Sequence, residues 1–332
     1  MVRPPLNQPL HKPFVVTSPA SHGQRATIAT ALPKVIRATA GRLLPQGWKK
    51  RIREALNPCI RLRNRELARL KRHPRFLEGE ARLDGERFSF SDALTFLSSY
   101  QHIFEAQCYA FPCAEASPLI IDCGANVGLA IRYWLKRHPH ARILAFEPDP
   151  DLFVLLKRNC ASFPPKQVIL RNAAVSGQEG VVEFSSTGVE TGHLDHVASQ
   201  PVSRPILVKA VRLSRFLDQG VDFLKVDIEG AEVDVLTECA ERLQNVKQIC
   251  VEFHSIIGRE QSLDRLLAAL SAAGFRYHIV PEAFSERPLY EIGAQFGMDG
   301  RLIIWAFRGP SFPRIIDATP SWATAHPPVL PP

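Results

Sequence analysis

The chain has 332 residues, 45% hydrophobic and 22% charged, enough for one large domain with extensions or for two domains. Its net charge of +8 is uneven: residues 1–75 hold seventeen Lys and Arg against two acids, net +15, and the remainder is net −7. A mildly acidic body with a basic arm excludes a uniformly basic nucleic-acid binder, so no nucleic acid is expected as partner. No stretch approaches about 18 uninterrupted apolar residues, so no transmembrane helix is expected. The start, MVRPPLNQPLHKP, lacks the apolar core of a secretory signal. Seven cysteines without a C-x-x-C pair read as free thiols in a reducing compartment. A cytoplasmic location is expected.

In chain order, residues 1–30 are rich in Pro, Ser, Thr and Gln and read as a flexible tail. Residues 31–90 read as a basic, partly helical N-terminal extension. Leu56, Ile60, Leu67 and Leu70 could line one helical side, with arginines opposite. Two uses compete for this arm: a solvated face packed on the main domain, which is favoured because Pro45 and Pro58 interrupt any long helix, and peripheral contact with an anionic inner membrane surface. The main domain is expected over 91–308. Ser91 is the expected N-cap of a helix bearing Leu94, Leu97, Tyr100, Phe104 and Cys108 at helical spacing.

From there strands and helices alternate. Strands are expected at Leu119–Cys123, Ile143–Phe146, Val168–Leu170, Phe223–Val226, Ile249–Phe253, Phe275–Val280 and Leu302–Phe307, with added pieces at Val181–Phe184 and Ile206–Val211. Helices are expected at Leu129–Arg137, Leu152–Phe163, Ala231–Leu243 and from Leu263 to a stop at Gly274. This order predicts an α/β fold with a mostly parallel, doubly wound sheet closed by an antiparallel pair. The polar insertion over 176–205, with Thr187, Thr191 and His193, is a candidate acceptor lid. The Pro-rich residues 309–332 read as a tail.

The chemistry concentrates in three places. First, the strand ending at Asp122 runs into Cys123-Gly124-Ala125-Asn126-Val127-Gly128 and then a helix, at the sheet crossover where ligands bind. The spacing is G-x-N-x-G, not the dinucleotide G-x-G-x-x-G. A carboxylate two residues before the first glycine repels a pyrophosphate and suits an ammonium or sulfonium. Second, Glu147 ends the next strand, 23 residues after Gly124, where an acid accepts hydrogen bonds from ribose hydroxyls. Together these favour S-adenosylmethionine over a nicotinamide cofactor. Third, Lys225 and Asp227 share one strand face, as do Glu252 and His254, and with Glu229 they converge on one rim. For transfer of a methyl to a hydroxyl, His254 is the natural base, while Asp227 or Glu229 could hold the acceptor hydroxyl. Lys225 and Glu252 are the expected substrate contacts. A divalent cation could sit among these acids, and a salt-bridge network around Lys225 accounts for the same charges; the spacing is no recognised metal motif, so no metal is assigned.

At these residues the sequence resembles the FkbM family of S-adenosylmethionine-dependent methyltransferases. The resemblance is carried by Ser99-Tyr100, Ile103-Phe104-Glu105, Ile121 through Gly128, Phe146-Glu147-Pro148, Asn172-Ala173-Ala174-Val175, Leu224 through Glu232, and Glu252-Phe253-His254, over about residues 90–280. It implies a Rossmann-like class I methyltransferase fold: a mostly parallel seven-stranded sheet with an antiparallel last strand and helices on both faces. It implies O-methylation of a hydroxyl on a sugar, glycolipid or secondary metabolite. Asp122, Gly124, Asn126 and Gly128 would meet the methionine part of the cofactor, Glu147 the ribose, and Asn172 or Ala173 the adenine. Where the family commonly has Leu-Asp, Leu213 is followed by Ser214 and Arg215, so one carboxylate is missing near the acceptor. A nicotinamide-dependent oxidoreductase and a non-catalytic cofactor-binding protein are the competing readings.

Overall fold

Two strands with no polar-out face set the centre of the sheet. β3 (Leu119–Cys123) and β9 (Val221–Val226) are buried at every position, as strands covered on both sides must be. The computed structural model describes residues 57–186, 204–283, 287, 289–294 and 297–309. The tails, Leu56, Thr187, Thr191 and His193 lie outside them. From Cys59 onward the chain makes one unit.

β4 (Arg142–Phe146) and β5 (Val168–Arg171) extend the sheet in parallel beyond β3. On the other side β10 (Val246–Ile256) runs parallel to β9. β12 (Met298–Phe307) pairs antiparallel between β10 and the edge strand β11 (Arg276–Ala283). The order β11-β12-β10-β9-β3-β4-β5 is a seven-stranded sheet with an antiparallel last strand, the Rossmann-like arrangement. The chain winds one way from β3 and the other way from β9, so the switch point lies between them. The added pieces β6 (Ala174–Ser176), β7 (Gly180–Ser186) and β8 (Arg204–Arg212) form a separate three-stranded sheet.

Strand alternation feeds two cores. Ile120, Ile143 and Phe223 pack with α3 (Leu129–Arg137) and α4 (Pro150–Cys160). Their neighbours Ile121, Leu224 and Val251 pack with α5 (Glu232–Glu238) and α6 (Leu263–Ala272) on the opposite face. Asp122, Lys225, Glu252 and His254 fall by the same alternation on the first face, under the helices that precede β3.

Those helices differ from expectation. α1 (Pro58–Leu70) is followed by a hairpin, β1 (Gly79–Leu83) and β2 (Glu86–Phe90), turning at Asp84 and Gly85, both with positive φ. Phe88 and Phe90 are buried with Phe96 and Tyr100 of α2 (Ala93–Tyr100). Asn159 of α4 bonds both the N–H and the carbonyl of Ser89. Packing therefore runs unbroken across the position expected to divide extension from domain. The N-cap of α2 is Asp92, not Ser91: its carboxylate accepts from the N–H groups of Leu94 and Thr95 and also holds Arg75. A carboxylate satisfies several donors at once where a hydroxyl satisfies one or two. After Tyr100 the helix widens into a π-helical turn, Gln101–Glu105, a feature frequent at functional sites.

Candidate functional site

The loop between β3 and α3 hangs from the sheet by backbone bonds. The N–H groups of Gly124 and Ala125 donate to Phe146 O, and Asp227 N donates to Cys123 O. Gly124 has φ +86, and a Cβ there would stand 1.8 Å from the Asp227 carbonyl oxygen, so the loop lies directly on the end of β9. Gly128 serves the other purpose: its Cβ would meet Leu156 of α4 at 2.7 Å, so it lets two helices close. Asn126 and Glu229 are non-glycine residues at φ 51 and 57, a costly conformation that clusters at ligand sites.

Over this loop opens a crevice. It is lined by the Gly124–Val127 loop, by Ser98, Ser99 and His102 from α2 and the π turn, and by Tyr109, Lys225, Asp227, Glu229, Glu252, His254, Glu282 and Arg301. The structure thus brings Gly124, Asn126, Lys225, Asp227, Glu229, Glu252 and His254 together. Asp122, Gly128, Glu147, Asn172 and Ala173 do not line it.

Three of the expected site residues are already engaged by other groups of the protein. Lys225 is 3% exposed. Its ammonium lies 2.8 Å from Gly124 O, 3.0 Å from Asp227 and 3.4 Å from Asp122, above the Tyr109 ring. Burial opposes its charge, but the flanking Asp227 and Asp122 outweigh it and hold the proton more tightly than in water. Lys225 is a clamp between loop and strand rather than a free substrate contact. Asp122 lies behind it, fully buried and pushed up to about 6 by that burial, so it acts on the crevice through Lys225.

His254 is the second. It is 6% exposed, and its Nδ1 lies 2.9 Å from Oε1 of Glu232, itself 1% exposed. Burial lowers the affinity of the ring for a proton, yet Glu232 and then Glu229 and Asp227 lift it to about 10. That shift favours the imidazolium, a form that cannot accept the proton of an acceptor hydroxyl. Sequence reasoning placed His254 at the rim and missed Glu232, two residues after Gly230, which decides its charge.

The third is Glu147. It is 4% exposed, and its oxygens accept from the N–H groups of Asn126 and Asp149, at 2.7 and 2.9 Å. It braces the glycine loop from behind, and burial pushes it up to about 8. Each oxygen keeps a second lone pair. Asn172 donates to the carbonyls of Glu147 and Pro148, and so fixes this strand end.

Glu252 is also pushed up to about 8, by burial first and then by Asp227 and Glu282; Tyr109 donates its hydroxyl to it. His102 faces Glu282 at 3.3 Å. Tyr109, His102, Glu282 and Arg301 carry no local motif, and only the pairing of β12 beside β10 and the π turn above the loop bring them in. Ser214, at the departure from the family pattern, bonds Glu238.

The wall of the crevice carries four carboxylates beside Lys225, His254 and Arg301, and it closes on backbone with no room for a side chain at Gly124. Those features fit a cationic ligand with a narrow end, as the methionine part of S-adenosylmethionine is.

Residues 122–277 match the family described as the Methyltransferase FkbM domain. Methyltransferase sdnD of Sordaria araneosa is 29% identical over 212 residues, 51% of this chain and 78% of sdnD. The 2-O-methyltransferase NoeI of Sinorhizobium fredii is 26% identical, covering 42% of this chain and 64% of NoeI. The hexuronic acid methyltransferase AglP of Haloferax volcanii is 27% identical, covering 43% and 58%. A solved FkbM methyltransferase from Methylobacillus flagellatus aligns at 15% identity with a TM-score of 0.36, over 57% of this chain and 44% of that one. The family and sequence matches do not favour the nicotinamide reading.

Proposed function

From a chain that carries an FkbM-family methyltransferase domain over residues 122–277, we propose an S-adenosylmethionine-dependent O-methyltransferase acting on a hydroxyl of a sugar, glycolipid or other small hydroxylated metabolite. The observation that carries this reading is the glycine loop at the switch point, pressed on β9 and facing a wall of carboxylates. NoeI is named a 2-O-methyltransferase and AglP a hexuronic acid methyltransferase, which supports transfer to oxygen and a sugar-type acceptor. No helix among the described residues is long and apolar enough to cross a membrane; docking of the basic arm on an anionic surface remains part of the proposal.

When bound, S-adenosylmethionine supplies a methyl on a sulfonium, which departs as a neutral thioether keeping the carbon–sulfur electron pair. The protein's residues do the rest. Gly124 and Asn126 give the methionine end its backbone wall. Asp227 and Glu229 attract the positive charge and receive the acceptor hydroxyl by hydrogen bonds. One of these carboxylates takes the hydroxyl proton as the oxygen–carbon bond forms. His254, already charged, donates rather than accepts. The ribose and adenine would extend past the Gly124 loop toward Glu147, Asn172 and Ala173, outside the lining of the crevice, with Glu147 offering the lone pairs that Asn126 and Asp149 leave.

Calorimetry with S-adenosylmethionine, followed by a methyl-transfer assay over a panel of sugars, tests this. One cofactor per chain and methyl ether formation are expected. No binding to the intact chain would remove the reading.

A further inference from the structure

At the carboxyl ends of β9 and β10, Asp227, Glu252 and His254 each place a potential metal-binding atom within 4.8 Å of the others. Strand geometry produces this: Glu252 and His254 are two apart on one face of β10, and Asp227 ends the parallel neighbour. A second observation sets the cluster apart from a solvated acidic rim. The His254 ring is buried and its Nδ1 is taken by buried Glu232. That bond fixes the ring plane and leaves Nε2 for the crevice, where the Glu229 carboxylate stands 3.9 Å away, beyond hydrogen-bond reach. An imidazole braced through one nitrogen by a buried carboxylate, within a cluster whose Asp227 and Glu252 oxygens lie within 4.8 Å of a ring nitrogen, has the outer-shell arrangement of metal-ligating histidines. Tyr109 braces Glu252 in the same way, and Asp227 is steadied by Lys225 at 3.0 Å.

We propose that Asp227, Glu252 and His254 bind one divalent first-row transition cation, with Glu232 and Tyr109 as positioning residues. Two carboxylates and an imidazole suit Mn²⁺ or Zn²⁺ better than Mg²⁺, which favours oxygen alone. The role of the cation rests on the methyltransferase reading: held beside the acceptor, it draws electron density from a hydroxyl oxygen and eases transfer of the hydroxyl proton to Glu229. The competing account is an imidazolium that neutralises Glu232 and Glu229 with no ion.

The test uses the full chain, stripped with chelator and then freed of it, with Mn²⁺ alone as probe, followed by electron paramagnetic resonance and calorimetry. One Mn²⁺ per chain is expected. Affinity should fall by about tenfold or more in Glu252→Gln and in His254→Gln, as losses in a metal site do. Glu282→Gln, in the same crevice but outside the cluster, should keep the wild-type affinity. Circular dichroism confirms folding; if His254→Gln does not fold, the near-isosteric Glu252→Gln carries the test. Absence of saturable Mn²⁺ binding, or binding that Glu252→Gln leaves unchanged, overturns the proposal. Titration with S-adenosylmethionine in the presence of chelator reads the methyltransferase assignment separately, so the two can fail independently.

Discussion

The two sides of one rim treat charge in opposite ways. Around Lys225 every partner is already in place: a carbonyl and two aspartates surround the ammonium, and the ring of Tyr109 lies beneath it. Around His254 the bracing is complete on one side, at Glu232, and the other nitrogen faces the crevice. The residue types are nearly the same. Lys225 and Asp122 spend their charges on holding the loop to the sheet; Asp227 belongs to both groups, and Glu229 and His254 face the crevice. A lysine at the end of a central strand is therefore no evidence of substrate binding until its neighbours across the sheet are known.

Substitutions should separate the two sides. The largest effect is expected from Lys225→Met. It leaves Asp122 and Asp227 without a counter-ion, and breaking a buried pair costs about 3–5 kcal/mol, measurable as a loss of unfolding free energy in urea. Asp227→Asn should instead spare most of the stability and lower methyl transfer by roughly 10²- to 10⁴-fold, the range for loss of a positioned acid–base group; equal losses of stability in the two variants would erase the distinction. Gly124→Ala drives a methyl into the Asp227 carbonyl, so S-adenosylmethionine affinity should fall by about tenfold or more, ~1.4 kcal/mol, by calorimetry.

A smaller, pH-dependent effect is expected at Glu147, behind the loop. Its folded value, about 8, lies above the ordinary carboxyl value of about 4.3. A raised value means the protonated form is favoured in the fold, so its contribution is complete in acid and is lost as pH rises through 8. The stability of the wild type relative to Glu147→Gln should therefore decline from acid pH to about 8 and then level off; a flat difference would show that the carboxyl ionises freely. The smallest effect belongs far from the rim: Asp92→Ala removes the cap of α2, worth about 1 kcal/mol by thermal unfolding, with cofactor affinity unchanged.

Much of the architecture was legible before folding was considered. The buried strand β3 followed by a glycine loop, the helix at Leu129–Arg137 and the stop at Gly274 appear where periodicity and turn chemistry put them. The hairpin of β1 and β2 also carries its own sign, an Asp-Gly turn between alternating segments, which the arginine-rich pattern around it obscures. The site was legible as a set of residues and less so as a set of roles. That Lys225 lies opposite Asp122 follows from the register of β3 on β9, and that Glu232 reaches His254 follows from how α5 leaves the sheet.

The sequence alone determined the order of strands and helices, the place of the switch-point loop and the acids gathered at the strand ends, because each depends on spacing within a few residues. Only the tertiary structure decided which of those charges are neutralised and which stay available. Pairing is set by neighbours far away in the chain, 101 positions for Lys225 and Gly124 and 143 for Tyr109 and Glu252, and a buried group takes its protonation state from them.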